Sequence, residues 1–261
     1  MQPPHYLTPN PDGVLCASGT RWAVLLLHGF TAGPQSVQPW AEALAEAGAT
    51  VYLPLLSGHG TTVADLAHTS AGQWRRDVQR AVDELLTQGF DKLAVAGLSM
   101  GGTLALDAAS HRPVDATLVV NPALSFKTLD RLGVSLSPLF DRLIPTVGPL
   151  AGDVHKPGVA EEAYDRTPVA AVQELGKLFR TTRRQLGTIA SPVTLYWSTR
   201  DHIVPSSSAR ILRQAIKPHL LTTVALERSF HVATLDYDAP TIHRHSISTL
   251  LALSGGHREI P

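Results

Sequence analysis

The sequence predicts an α/β fold built on a mostly parallel sheet with helices on both faces. Short, continuously apolar runs recur along the chain, and helix-like stretches alternate with them. One interval of about 70 residues then breaks that alternation, too long for a structureless loop inside a compact domain.

Strands covered on both faces read as unbroken apolar runs rather than as alternating ones. The runs that fit are Ala23–His28, Thr50–Pro54, Lys92–Leu98, Ala116–Asn121, Val193–Ser198 and Leu220–Leu226. The longest, AVLLL at 23–27, reads as a buried strand. The helix candidates between them are Ser36–Ala47, Gln73–Gln88, Met100–Ser110, Ser206–Ile216 and Pro240–Leu253. Gln73–Gln88 shows the helical period best, with Trp74, Val78, Val82, Leu85 and Leu86 on one face.

The interval between Asn121 and Pro192 holds no convincing strand and carries Pro122, Pro138, Pro145, Pro149, Pro157 and Pro168. It ends in VAAVQELGKLFRTTRRQL, where Val169, Val172, Leu175 and Leu178 share a face. The reading is a small helical cap inserted after the strand ending near Asn121, a common use of long insertions beside a site. The core is then 1–121 with 191–261, and the cap 122–190.

Composition bounds the function classes. With 261 residues, 44% hydrophobic, 17% charged and a formal net charge of +0, the chain suits one large domain with an inserted subdomain. A neutral balance provides no electrostatic attraction for nucleic acid or an anionic membrane. The single Cys16 excludes an internal disulfide and points to a cytoplasmic home. MQPPHYLTPNPDG has no positive segment leading into an apolar core, so no secretory signal is expected there, and SGGHREIP is expected to fray. No apolar stretch approaches the ~18 residues that span a bilayer. No repeat or low-complexity tract is evident.

Gly97-Leu98-Ser99-Met100-Gly101-Gly102 carries the chemistry. A G-x-S-x-G arises by chance roughly 0.1 times in a chain of this composition, so the bare pattern is moderately specific. Its context adds to it: LAVAGL reads as a strand and TLALDAAS as a helix, the setting of a nucleophile elbow. A sharp turn at Ser99 brings residues two before and two after nearly into contact, so Gly97 and Gly101 remove side chains that would collide. The following helix aims its first amides at the same point.

A serine hydroxyl needs a base, and the base a carboxylate, in the chain order Ser, acid, His. The plausible bases downstream are His202, His219, His231, His243 and His245. His231, in RSFHVATLD, follows the last strand candidate, at the C-terminal edge of a parallel sheet. His243 and His245 fall in the final helix and read as surface residues. For the acid, Asp201 in TRDHIVP follows the strand PVTLYWST. Asn121 occupies the alternative acid position and cannot be an anion, Glu227 is too near His231 in sequence, and Asp236 and Asp238 follow the histidine. His202 reads as a solvent-facing neighbour. Oxyanion donors are expected from the backbone N–H of Met100 and of Phe30, with Gly29 letting the first loop approach the serine. His28 and His59 read as supporting hydrogen-bonding residues.

LLLHGFTAGP, LPLLSGHGTT, GLSMGG, STRDHIVP and SFHVATLDYD together resemble the α/β-hydrolase carboxylesterases, and most closely the small bacterial monoacylglycerol lipases. The likeness runs in order from about residue 20 to residue 250. GLSMGG is widely shared; HGFT, GHGTT and FHVATLDYD are far more specific to this branch. The resemblance implies the α/β-hydrolase fold, a Ser99–His231–Asp201 triad, Phe30 and Met100 as oxyanion donors, an acyl-enzyme, no metal and no organic cofactor. It also implies a cap carrying an apolar acyl tunnel, with Ile144 in RLIPTVGPLAGD as a pocket-lining residue. Where relatives have HGFTG, this chain has Ala32 followed by Gly33, which would shift a glycine-dependent turn by one residue.

The expected partner is a small acyl ester of medium or long chain, a monoacylglycerol or its like. No nucleic acid and no integral membrane segment are expected; transient lipid contact through the cap is, by a monomer or homodimer. The same residues would serve a short-chain carboxylesterase or an amide or C–C bond hydrolase. A non-catalytic receptor on this scaffold is the reading from another class, separable by turnover.

Overall fold

The structure is a computed structural model that describes residues 14–15, 22–127 and 145–253. Ile144 and the rest of 128–144, within the expected cap, lie outside the described residues. A seven-stranded sheet runs in the order β1-β3-β2-β4-β5-β8-β9. Its strands are β1 (Val14–Leu15), β2 (Trp22–Leu27), β3 (Thr50–Tyr52), β4 (Lys92–Leu98), β5 (Ala116–Val120), β8 (Val193–Ser198) and β9 (Leu221–Leu226). Only β1 is antiparallel to its neighbour, β3; every other pairing is parallel. The six strands expected from apolar runs are all present, within two residues at each end.

The apolar runs of β2, β4, β5 and β8 are unbroken because each of these central strands serves two cores. Ala23, Leu25 and Leu27 of β2 and Leu93 and Val95 of β4 face one layer of helices. The intervening Val24, Leu26, Ala94, Ala96 and Leu98 face the other. Side chains of a strand alternate by face, so a sheet covered twice needs apolar residues at every position.

The first layer holds α3 (Ala71–Thr87), α4 (Met100–Ala109), α5 (Val169–Gln185) and α6 (Ser207–Ala215). The second holds α1 (Gln38–Glu46) and α7 (Ala239–Leu253). Helix α3 starts two residues before its apolar pattern, because Ser70 and Gln73 form a reciprocal capping box. Its buried face includes Trp74, Val78, Val82 and Leu85 as expected, but Leu86 is exposed. A short α2 (Val63–Ala67), capped in the same way by Thr62 and Asp65, is too short to show a period.

The expected cap, 122–190, divides in two. Its final helix, α5, buries Val169, Val172, Leu175 and Leu178 in the same core as α3 and α4, as a crossover helix does. Before it, the described stretch 145–168 is a loop bearing a two-stranded ribbon of β6 (Thr146–Val147) and β7 (Thr167–Pro168). An amphipathic pattern reports only that a helix covers something apolar, and here that surface is the sheet core.

Candidate active site

Strand β4 delivers Ser99, and helix α4 leaves from it. Ser99 has φ +55° and ψ −116°, a conformation that costs a non-glycine residue of order 1–3 kcal/mol. Packing holds it there. A Cβ on Gly97 would lie 2.7 Å from the Gly102 nitrogen and closer still to the Gly101 carbonyl. A Cβ on Gly101 would lie 2.5 Å from the His28 carbonyl oxygen, so this glycine is required by the end of β2 rather than by Gly97. Ser99 N–H donates to the Val120 carbonyl at 2.9 Å, anchoring the turn to β5.

Gly29 has a different role from the one its position suggests. A Cβ there would meet nothing nearer than the Ser99 Cβ, at 3.7 Å. The backbone does not need glycine; the open space beside the serine does. Gly101→Ala is therefore expected to lose at least about 2 kcal/mol of stability, the cost of overpacking against backbone. Gly29→Ala should melt within a few degrees of wild type yet turn over substrate more slowly. Thermal melts beside steady-state rates check both, and an equally folded, fully active Gly101→Ala would contradict the packing argument.

His28 closes β2 and ties the loop down. Its Nδ1–H donates to the Gly29 carbonyl at 2.9 Å, and Nε2 accepts the Leu56 N–H at 3.1 Å. Both nitrogens are occupied in the neutral form. Burial, then the nearby His59, lowers its pKa to about 3 despite the Gly29 bond, so it stays neutral. His59 is likewise buried, its pKa lowered to about 4 chiefly by desolvation. Its ring stands edge-on to His28 and Phe30. The turn after Phe30 uses Thr31 at φ +64°, while Gly33 is extended at φ −133°. Ala32 has no positive φ and so needs no glycine; the positive φ sits one residue earlier. The backbone N–H groups of Phe30 and Met100 are unpaired among the described residues, and both residues are buried.

Asp201 and His231 are brought together at the same sheet edge, beyond β8 and β9. His231 Nδ1 lies 2.7 Å from Asp201 Oδ2, with side chains only 5% and 2% exposed. The other oxygen, Oδ1, accepts the N–H groups of Ile203 and Val204, both at 2.8 Å, so the carboxylate is oriented before it meets the imidazole. Burial works to lower the His231 pKa, but the charge and hydrogen bond of Asp201, with the charges of Glu161 and Asp153, outweigh it and raise the pKa above 6.5. Among the described residues, no hydrogen bond joins the His231 ring to the Ser99 hydroxyl.

Other residues hold His231 in ways no local pattern announces. Asn121, the residue with the wrong chemistry for an acid, adopts φ +44° at the end of β5. Its Nδ2 donates to the His231 carbonyl at 2.8 Å and to Ser198 Oγ at 2.9 Å, and its Oδ1 accepts the Ser198 N–H at 2.8 Å. Asp236 accepts the N–H of Phe230 at 2.9 Å and of His155 at 2.7 Å. Asp238 accepts those of Arg228 and Ser229, both at 2.9 Å. Glu227 is exposed. His202 has an exposed ring but is not free: Asp153 Oδ1 lies 2.8 Å from its Nδ1. His243 and His245, read from the sequence as surface residues, are half-buried, and His245 lies 3.1 Å from the Tyr196 hydroxyl.

The loop 145–168 is seated against these parts. Ala163 pairs with Ala32, Tyr164 N–H donates to the Thr31 carbonyl at 3.0 Å, and Val232 N–H donates to the Asp153 carbonyl at 3.1 Å.

Residues 18–238 match the model of Hydrolase_4, the serine aminopeptidase S33 family. The chain belongs to the Hydrolase_4 family of α/β hydrolases. It is 39% identical over 225 residues to a thermostable monoacylglycerol lipase of Bacillus sp. (strain H-257), covering 86% of this chain and 88% of that one. To a carboxylesterase of Bacillus subtilis (strain 168) it is 25% identical over 238 residues, 91% and 94% of the two chains. A solved structure from the metagenome-derived lipolytic enzymes LipS and LipT superposes with a TM-score of 0.86 at 33% identity, covering 92% of this chain and 98% of that one. As a Hydrolase_4 member the chain is a serine hydrolase. No helix among its described residues is long and apolar enough to cross a membrane.

Proposed function

We propose that the protein hydrolyses carboxylic esters of medium or long acyl chain, monoacylglycerols among them, through Ser99, His231 and Asp201. One observation carries the reading: a buried 2.7 Å Asp201–His231 pair shares a sheet edge with a serine held at φ +55°. Ser99 Oγ attacks the ester carbonyl carbon while His231 Nε2 takes its proton, and the Phe30 and Met100 amides receive the oxyanion. Collapse of the tetrahedral species breaks the bond to the alcohol, which leaves with the proton from His231. Water, deprotonated by His231, then attacks the acyl-enzyme; the bond to Ser99 Oγ breaks as His231 returns the proton to that oxygen, and the acid is released. Asp201 stabilises the imidazolium in both half-reactions. All of this chemistry is supplied by side chains and backbone.

The acyl-chain reading draws on the relatives' names and on the inserted segment. Val147 and Leu150, both on that segment, are exposed apolar residues. They suit transient contact with lipid, with the segment acting as a cap over the acyl chain.

The test is a panel of glyceryl monoesters and p-nitrophenyl esters from two to sixteen carbons, with matched anilides, beside fluorophosphonate labelling. Labelling at Ser99, turnover rising with chain length, and anilide rates at least 100-fold below ester rates are expected. The family's aminopeptidase description favours amides as the second reading. Anilides cleaved as fast as esters would establish it in place of the first.

A further inference from the structure

Both polar groups of the His231 backbone are taken by side chains distant in sequence. Asn121 holds the carbonyl from the core side. The N–H goes to Asp153, a residue of the inserted loop, at 3.0 Å on Oδ2. The same oxygen accepts the His202 N–H at 3.1 Å, and Oδ1 meets the His202 ring. One carboxylate thus grips the base itself and the residue next to the acid.

We propose that Asp153 is a positioning residue whose carboxylate locks the Asp201 loop to the His231 loop, so that the base is correctly set only when the inserted segment is seated. The inference rests on the triad reading above. Backbone N–H groups bound to a carboxylate make charge-assisted bonds, stronger than neutral ones, which resist the small rotations that would pull imidazole from acid. Misplacing a catalytic group by about 1 Å costs about 100-fold in rate. The rest of the segment is tied to the oxyanion loop through Ala163 and Tyr164, so its seating reaches both halves of the site.

Asp153 also acts on His231 by charge. The carboxylates of Asp201, Glu161 and Asp153 all favour the imidazolium, and His202 lies beyond Asp153. Removing the Asp153 charge leaves less to offset burial, so the His231 titration moves to lower pH.

The experiment compares full-length wild type with Asp153→Asn, which keeps the size and one acceptor, and with Asp153→Ala. Expected are a kcat loss of about 10-fold for Asn and about 100-fold for Ala, the latter the cost of ~1 Å misplacement. KM should stay within about twofold, and the acid limb of kcat/KM should move to lower pH in both. Histidine-labelled NMR titration of His231 should shift the same way without any turnover. Wild-type kcat in Asp153→Asn with an unmoved His231 titration would overturn the proposal. So would a loss matched entirely by a lower folded fraction in thermal melts. If wild type hydrolyses no ester, the functional reading fails, while the NMR titration still decides whether Asp153 sets the His231 environment.

Discussion

Ser99→Ala is expected to cut ester turnover by about a million-fold in kcat, leaving binding nearly unchanged. Without the hydroxyl no acyl-enzyme forms, and His231 has no serine proton to take. What survives is the contribution of the oxyanion amides and of binding, roughly 10³–10⁴ over water. The variant should also be slightly more stable than wild type. Alanine at φ +55° carries the same strain as serine, but a hydroxyl no longer needs solvating in a buried pocket. Single-turnover assays with a p-nitrophenyl ester and loss of fluorophosphonate labelling check it. A variant retaining more than about a thousandth of the wild-type rate would point to another nucleophile.

Asp201→Asn is expected to cost about 10⁴-fold in kcat while preserving the fold. An amide in place of Oδ2 offers a donor or a poorer acceptor to Nδ1 and disfavours the tautomer that leaves Nε2 free to take a proton. The pH profile makes the reading specific. Activity needs neutral His231. In wild type its raised pKa therefore places the acid limb of kcat/KM above 6.5. Without the Asp201 charge, desolvation dominates and the residual activity's limb should fall below that value. The linked stability has the opposite sense. A histidine whose folded pKa is raised stabilises the fold below its unfolded pKa, and this is lost as pH rises through the folded value. In Asp201→Asn that acid-side stabilisation should vanish. Rate–pH profiles and melts at pH 5 and 8 test it; an unmoved limb would mean Asp201 does not face the base in solution.

The parts of the site readable in one dimension are those set by local sterics. GLSMGG encodes its own turn, because Gly97 and Gly101 matter through atoms only a few residues or one strand away. The strand runs were readable because a doubly covered sheet makes every position apolar. Asp201 and His231 could be placed because loops after parallel strands emerge at one edge, and that edge is where β4 leaves Ser99. Gly29 does lie beside Ser99, but its backbone has no positive φ, so what matters there is the space left beside the serine.

The elements that hold His231 in place follow another logic. Asn121 reaches it across 110 positions, and Asp153 across 78, with no periodicity or spacing to announce either. An asparagine ending a strand and an aspartate in a proline-rich loop look the same whether they hold a catalytic loop or face water. Helix α5 shows the same ambiguity on a larger scale: its amphipathic pattern fits a lid or a crossover helix, and only its burial against α3 and α4 distinguishes them. The linear chain thus determines the strands, the tight turn at Ser99 and the placing of Asp201 and His231 after parallel strands, through short-range sterics and face-by-face hydrophobicity. Which side chains clamp His231 is settled by folding, because hydrogen bonds between remote loops depend on where the packed sheet puts their ends.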